Sequence, residues 1–310
     1  MQIGDQLNPV QIIFWPLYWL RRNCYVQKIF NLYGKSFQHK NPVFILGVNR
    51  SGTSMFVRLV RETSALIDWS EANELWDPVS YPWPKNKVER SFWPHEPQKY
   101  INQMLEQNGE DYITSIAGIV SMYVSFVASR FWNVRFLNKS PMNSLRVREL
   151  NSLFPEAQYI AIVRDPVAVL NSWLKKIEPP LEKHPKCKIV RNDEGNIESY
   201  NVLGQNFSRK EMIEKMSSSY EYINVRQNKD LSKYVDKRFM IIKYESIAED
   251  IYSSLNEVDD FLGIARSKRR WKNIPKKTVI RNDKAYKNFS KDEIALIRFN
   301  CKTVMETFYK

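Results

Sequence analysis

Cysteine and histidine are scarce in this chain, with three of each among 310 residues. Cys24, Cys187 and Cys301 stand far apart, as do His39, His95 and His184. No CxxC pair and no HExxH motif is present, so neither a disulfide framework nor a zinc site is expected, and no metal is called for. Long apolar runs are also missing. The best one, Val10 to Leu20, is followed by Arg21 and Arg22. It falls short of the roughly 20 apolar residues that cross a bilayer, and it lacks the basic start and small-residue cleavage site of a secretory signal. Residues 1–40 are therefore expected to be an amphipathic arm. It docks on the domain, the simpler reading, or makes peripheral contact with a membrane surface. A cytoplasmic protein, peripheral to the membrane at most, is the expectation. Acidic side chains are in the minority: 47 Lys and Arg face 34 Asp and Glu, for a net charge of +13. That excess favours an anionic ligand. No signature of a nucleic-acid module accompanies it, so nucleic acid is not expected as the partner.

The chain does contain strands alternating with helices. Pro42–Val48 and Ala157–Val163 are short apolar runs of the buried parallel-strand type, and Val134–Asn138 and Phe239–Lys243 read as two further strands. Helices are expected over Met55–Val60, Tyr100–Arg130, Ser144–Phe154, Val167–Lys176, Arg209–Asn228 and Ile251–Leu262, and from Lys291 onward. The helix before Gly263 has the usual glycine stop. Residues 76–97 are rich in Trp and Pro and read as a long loop. Pro179, Pro180 and Pro185 open an insert, 178–210, with a hairpin around Asn192–Gly195. The pattern predicts an α/β fold for residues 41–310: a single domain with a P-loop-like parallel sheet flanked by helices on both faces. Ligands of such sheets bind at the carboxyl ends of the strands, where every motif below is found.

Gly47, Gly52, Thr53 and Ser54 have the spacing of a P-loop, with threonine where its lysine belongs. A strand-turn-helix junction still gathers backbone N–H groups around an anion, and Arg50 can supply the missing cation. Arg164 and Asp165 end the third strand, and Ser172 lies two turns into the next helix. Arg164 and Ser172 together can grip a second phosphate. The alternative is a salt-bridge and capping device.

Phe44–Ser54, Asn138–Pro141, Leu153–Ala157, Ile162–Pro166 with Ser172, and Lys243–Ser246 with Phe261–Ile264 resemble, in this order, the motifs of sulfotransferases. These enzymes use PAPS (3′-phosphoadenosine 5′-phosphosulfate) and release PAP. The similarity is strongest to the branch holding tyrosylprotein and bacterial sulfotransferases. It implies transfer of a sulfuryl group to an acceptor hydroxyl on a carbohydrate, a lipid or another small alcohol or phenol. Arg50, Ser51, Gly52, Thr53 and Ser54 would hold the 5′-phosphosulfate, Arg164 and Ser172 the 3′-phosphate, and Tyr244 would lie near the adenine. Glu71 matches the glutamate base of the branch, with Glu74 one turn away as the rival. Lys139 matches a lysine that neutralises the sulfuryl group, so Glu71, Lys139 and Arg50 form the catalytic set. The C-terminal segment that closes over the nucleotide matches poorly; Lys284, Tyr286 and Lys287 lie in its region. Loop 76–97 and insert 178–210 are candidate acceptor-site elements. A kinase or NTPase with a variant phosphate loop is the alternative, with Asp165 holding magnesium.

Overall fold

A computed structural model describes residues 41–68, 134–202, 204–276, 278 and 282–309. The arm, Glu71, Glu74, the loop 76–97 and the helix expected over 100–130 lie outside the described residues.

Five parallel strands form the central sheet in the order β2-β3-β1-β4-β8. They are β1 (Val43–Leu46), β2 (Leu66–Asp68), β3 (Arg135–Lys139), β4 (Gln158–Val163) and β8 (Phe239–Lys243). β1 is wholly buried, and β3 and β4 are buried beyond their first residue, as the near-continuous apolar runs of a two-sided sheet require. Alternation along β1 sends Val43 and Ile45 into one core with Ile160 and Ile162 of β4, while Phe44 meets Phe154 and Tyr159 at ring separations of 5.6 Å. Helices α1 (Thr53–Val60), α5 (Tyr244–Glu249) and α6 (Ile251–Leu262) contribute to the first core. A second core gathers α3 (Pro166–Glu182), α4 (Arg209–Tyr234), α8 (Lys291–Asn300) and α9 (Lys302–Phe308). The expected layering, helices on both faces of a parallel sheet, is the observed one.

Several local expectations need correction. The helix α3 runs through Pro179 and Pro180 to Glu182 instead of ending at Lys176. Ile177 and Leu181 lie one turn apart and are both buried in the second core, and that burial outweighs the lost N–H donors. The helix expected over Ser144–Phe154 is a 3-10 turn, Pro141–Leu145, followed by α2 (Val147–Leu153). β2 and β7 escaped sequence reading. The hairpin strands β5 (Cys187–Arg191) and β6 (Ile197–Val202) are as expected, and β7 (Gln205–Ser208) adds a third antiparallel strand. This small sheet packs on the second core through Ile197, Tyr200 and Val202. The final helix is split at Cys301.

Two arginines tie the fold together. Arg135 donates to Asn41 O, Leu262 O and Gln158 Oε1, and burial pulls its pKa down to about 10. Arg269 and Asp259 form a fully buried ion pair, and Arg269 also caps α1 through the carbonyls of Leu59 and Val60. No helix among the described residues is long and apolar enough to cross a membrane.

Candidate functional site

The chain leaves β1, forms the two strands on one side of it, then crosses to β4 and β8 on the other. Loops leaving the carboxyl ends of β1 and β4 therefore diverge at a topological switch point, where ligands of such sheets bind. The loop 47–52 fills this place. Gly47 (φ 142°), Arg50 (φ 71°) and Gly52 (φ 95°) all take positive φ, which folds the backbone tightly enough to gather N–H groups toward one point. Ser51 closes the turn with two bonds to Val48 O, from N at 3.1 Å and from Oγ at 2.7 Å. The N–H of Gly47 is fixed by Ser144 Oγ at 2.8 Å. α1 then begins at Thr53 without any side-chain cap, so its first N–H groups and dipole face the loop.

Glycine is required at position 52 for a second reason. A Cβ there would lie 2.2 Å and 2.5 Å from the Cδ2 and Cε2 atoms of Tyr244, the first residue of α5. The Tyr244 ring is a platform: the loop rests on it, and the Arg164 guanidinium stacks over it at 4.2 Å from the ring centre.

Arg164 leaves the carboxyl end of β4. Its Nη1 donates to Arg50 O at 3.3 Å and its Nη2 to Asn282 Oδ1 at 3.1 Å. Its backbone carbonyl accepts from Tyr220 of α4, whose hydroxyl stays protonated because burial raises its pKa far above the ordinary value. Among the described residues, the Nε of Arg164 is buried without a hydrogen-bond partner. Arg50 Nε reaches Ser172 Oγ at 2.9 Å. Burial and the like charge of Arg164 both lower the Arg50 pKa, burial being the larger cause. Among the described residues no carboxylate forms an ion pair with either arginine. Two adjacent guanidiniums with an unspent buried N–H attract an oxyanion strongly.

Asp165 plays a different part. Its Oδ1 caps α3 at Ala168 N (2.9 Å) and its Oδ2 accepts from Tyr286 (2.7 Å). Burial, then the bond to Asp165, raises the Tyr286 pKa. Both carboxylate oxygens are thus engaged.

The structure brings Arg50, Ser51, Gly52, Thr53, Ser54, Arg164, Ser172 and Tyr244 to one corner. Ser172 is bonded to Arg50 rather than to Arg164, so residues that the sequence assigned to two different phosphates are in contact. Lys139 is buried at the carboxyl end of β3, paired in register with Ile45 of β1. Sequence reasoning missed Ser144, Asn282, Tyr309 and any role for Glu245, whose neighbours are remote in the chain. Tyr286 was singled out by position, and its contact with Asp165 gives that position a physical meaning.

A search of curated protein sequences finds no match. Among solved structures, the sulfotransferase STF9 from Mycobacterium avium is similar with a TM-score of 0.59 at 14% identity, covering 97% of this chain and 85% of that one. The sulfotransferase STF1 from Mycobacterium tuberculosis is similar with a TM-score of 0.52 at 12% identity, covering 97% and 88%. At such identities the likeness speaks for the fold. The model of the sulfotransferase family matches residues 42–268, well over half the sequence and every motif described above. The chain belongs to the sulfotransferase family.

Proposed function

We propose that this sulfotransferase takes its sulfuryl group from PAPS and passes it to the hydroxyl of a carbohydrate, a lipid or another small alcohol or phenol. The pair Arg50 and Arg164 carries the reading. Two guanidiniums share one corner at the switch point, no described carboxylate neutralises them, and the buried Nε of Arg164 is unspent. These groups fit a donor with two separate phosphate-bearing ends. Arg50 with Ser51, Gly52, Thr53 and Ser54 would hold the 5′-phosphosulfate, Arg164 and Ser172 the 3′-phosphate, and Tyr244 would stand beside the adenine.

PAPS supplies the activated sulfuryl group and leaves as PAP. Arg50, Lys139 and the loop amides stabilise the charge that develops as the sulfuryl group departs. Glu71 takes the proton of the acceptor hydroxyl, with Glu74 as its rival. The scheme draws its charges from arginine and lysine and calls on no metal. A kinase or NTPase would need Asp165 for magnesium, whereas Asp165 here caps α3 at Ala168 and accepts from Tyr286. Loop 76–97 and insert 178–210 are the acceptor-site elements of this proposal. It also divides the chain into an arm, 1–40, that docks on the domain or touches a membrane surface, and a domain, 41–310, working in the cytoplasm.

Incubation with radiolabelled PAPS, chelator and a panel of sugars, phenols and alcohols tests the reading. The expected result is labelled organic sulfate with an equal amount of PAP. Phosphoryl transfer from ATP, with no label transfer from PAPS, would overturn it. Gly52→Ala supplies a structural check. Its Cβ displaces the Tyr244 ring and strains a left-handed residue by about 1–2 kcal/mol. With the loop displaced, PAP affinity is expected to fall about three- to tenfold, the effect of one misplaced N–H donor. Unchanged affinity would show that the ring does not seat the loop.

A further inference from the structure

Arg164 is held in place by a part of the chain far from it in sequence. Its Nη2 donates to Asn282 Oδ1 at 3.1 Å, and Asn282 Nδ2 donates to Glu245 Oε1 at 2.7 Å. The orientation of the amide is forced. Arginine can only donate and an ionised carboxylate can only accept, so the Asn282 oxygen must face Arg164 and its nitrogen Glu245. Glu245 Oε1 also takes the backbone N–H of Asp165 at 3.1 Å, and Oε2 takes the Tyr309 hydroxyl at 3.1 Å. One carboxylate thus gathers donors from three places: the corner between β4 and α3, the short helix α7 (Asn282–Tyr286), and the residue that ends α9. Tyr309 remains a donor because burial, the largest cause, and the nearby anions raise its pKa.

The chemistry of this link is specific. A carboxylate placed directly on Arg164 would neutralise the cation and compete with a bound phosphate. Asn282 anchors the guanidinium to a carboxylate through a neutral amide, so the charge stays available while the side chain loses its freedom. An arginine carries about 2 kcal/mol of rotamer entropy, and fixing it before binding spares the ligand that cost.

We propose that Asn282 is a positioning residue for the donor site: it sets Arg164 against the Tyr244 ring, with Glu245 as the hub and Tyr309 as the outer brace. The inference rests on the reading of Arg164 as a ligand of the donor's phosphate. Asn282 acts through Arg164 and contributes nothing on its own to donor affinity.

A double-mutant cycle on the full chain tests this, with PAP affinity measured by calorimetry, KM for PAPS and kcat measured in turnover, and folding followed by thermal melts. Asn282→Ala is expected to weaken PAP about three- to tenfold, the effect of one hydrogen bond. It should raise KM for PAPS while kcat at saturation holds. In an Arg164→Ala background, the same substitution is expected to change PAP affinity by less than about twofold. Tyr309→Phe keeps the ring and deletes one hydroxyl, and it serves as the second variant should Asn282→Ala fail to fold. It is expected to cost about twofold, again only when Arg164 is present. A full Asn282 effect without Arg164 would make its role merely structural and overturn the proposal. Loss of PAP binding in Arg164→Ala but none in Asn282→Ala would overturn this proposal alone. An Arg164→Ala variant that binds PAP normally would overturn the donor-site reading, and this inference with it.

Discussion

Arg164→Ala is expected to weaken PAP binding on the order of a hundredfold, about 2.8 kcal/mol at 1.4 kcal/mol per factor of ten. The size follows from what the side chain offers. Its guanidinium is fixed by Arg50 O, Asn282 and the Tyr244 ring, so nothing need be ordered when an anion arrives. Its Nε is buried and has no partner among the described residues, so a phosphate oxygen meets a donor that has already lost its water. Charge-assisted bonds under such conditions are worth about 1.5–3 kcal/mol each. AMP provides the control, since it differs from PAP only by lacking the 3′-phosphate. Arg164→Ala should bind AMP nearly as the unaltered chain does. An equal loss for AMP and PAP would mean that Arg164 supports the loop in general and does not grip the 3′-phosphate.

Glu71→Gln is expected to slow turnover by about a hundred- to ten-thousandfold, the usual contribution of a positioned general base. PAP affinity should hold, because the proposed donor contacts come from the loop and from the β4 corner. Glutamine preserves the shape and removes the proton acceptor, so the effect isolates the base. Glu74→Gln, three residues on, should lower kcat by less than about threefold if Glu71 is the base. The reverse pattern would move the role to Glu74. Both residues lie outside the described part of the structure, and the assignment rests on the family motif and its spacing.

β1 and β4 were legible because both are buried on both faces and therefore carry nearly unbroken apolar runs. Phe239–Lys243 was read to the residue. β2 was not, since Leu66–Asp68 is three residues long and owes its existence to pairing with β3. α3 outran its sequence signal because Leu181 reaches the second core beyond two prolines, a tertiary gain invisible to local rules. The site divides the same way. Gly47, Arg50, Gly52 and Arg164 sit at strand ends, where the alternation of elements announces a loop, and the spacing of the glycines marks an anion cradle. Ser144, Glu245, Asn282 and Tyr309 act through partners many residues away. A lone asparagine or a penultimate tyrosine has no periodicity or spacing to set it apart. The contact between Arg50 and Ser172 also needed three dimensions.

The most direct test of the central claim is calorimetric titration of the unaltered chain with PAP in the presence of a chelator, set against ADP and against ATP with magnesium. Tight, metal-independent binding of PAP, with ADP weaker by about tenfold or more, is the predicted result, because only PAP offers Arg164 a 3′-phosphate. Preference for ATP with magnesium would contradict the account and turn the Arg50–Arg164 corner into a site for a triphosphate.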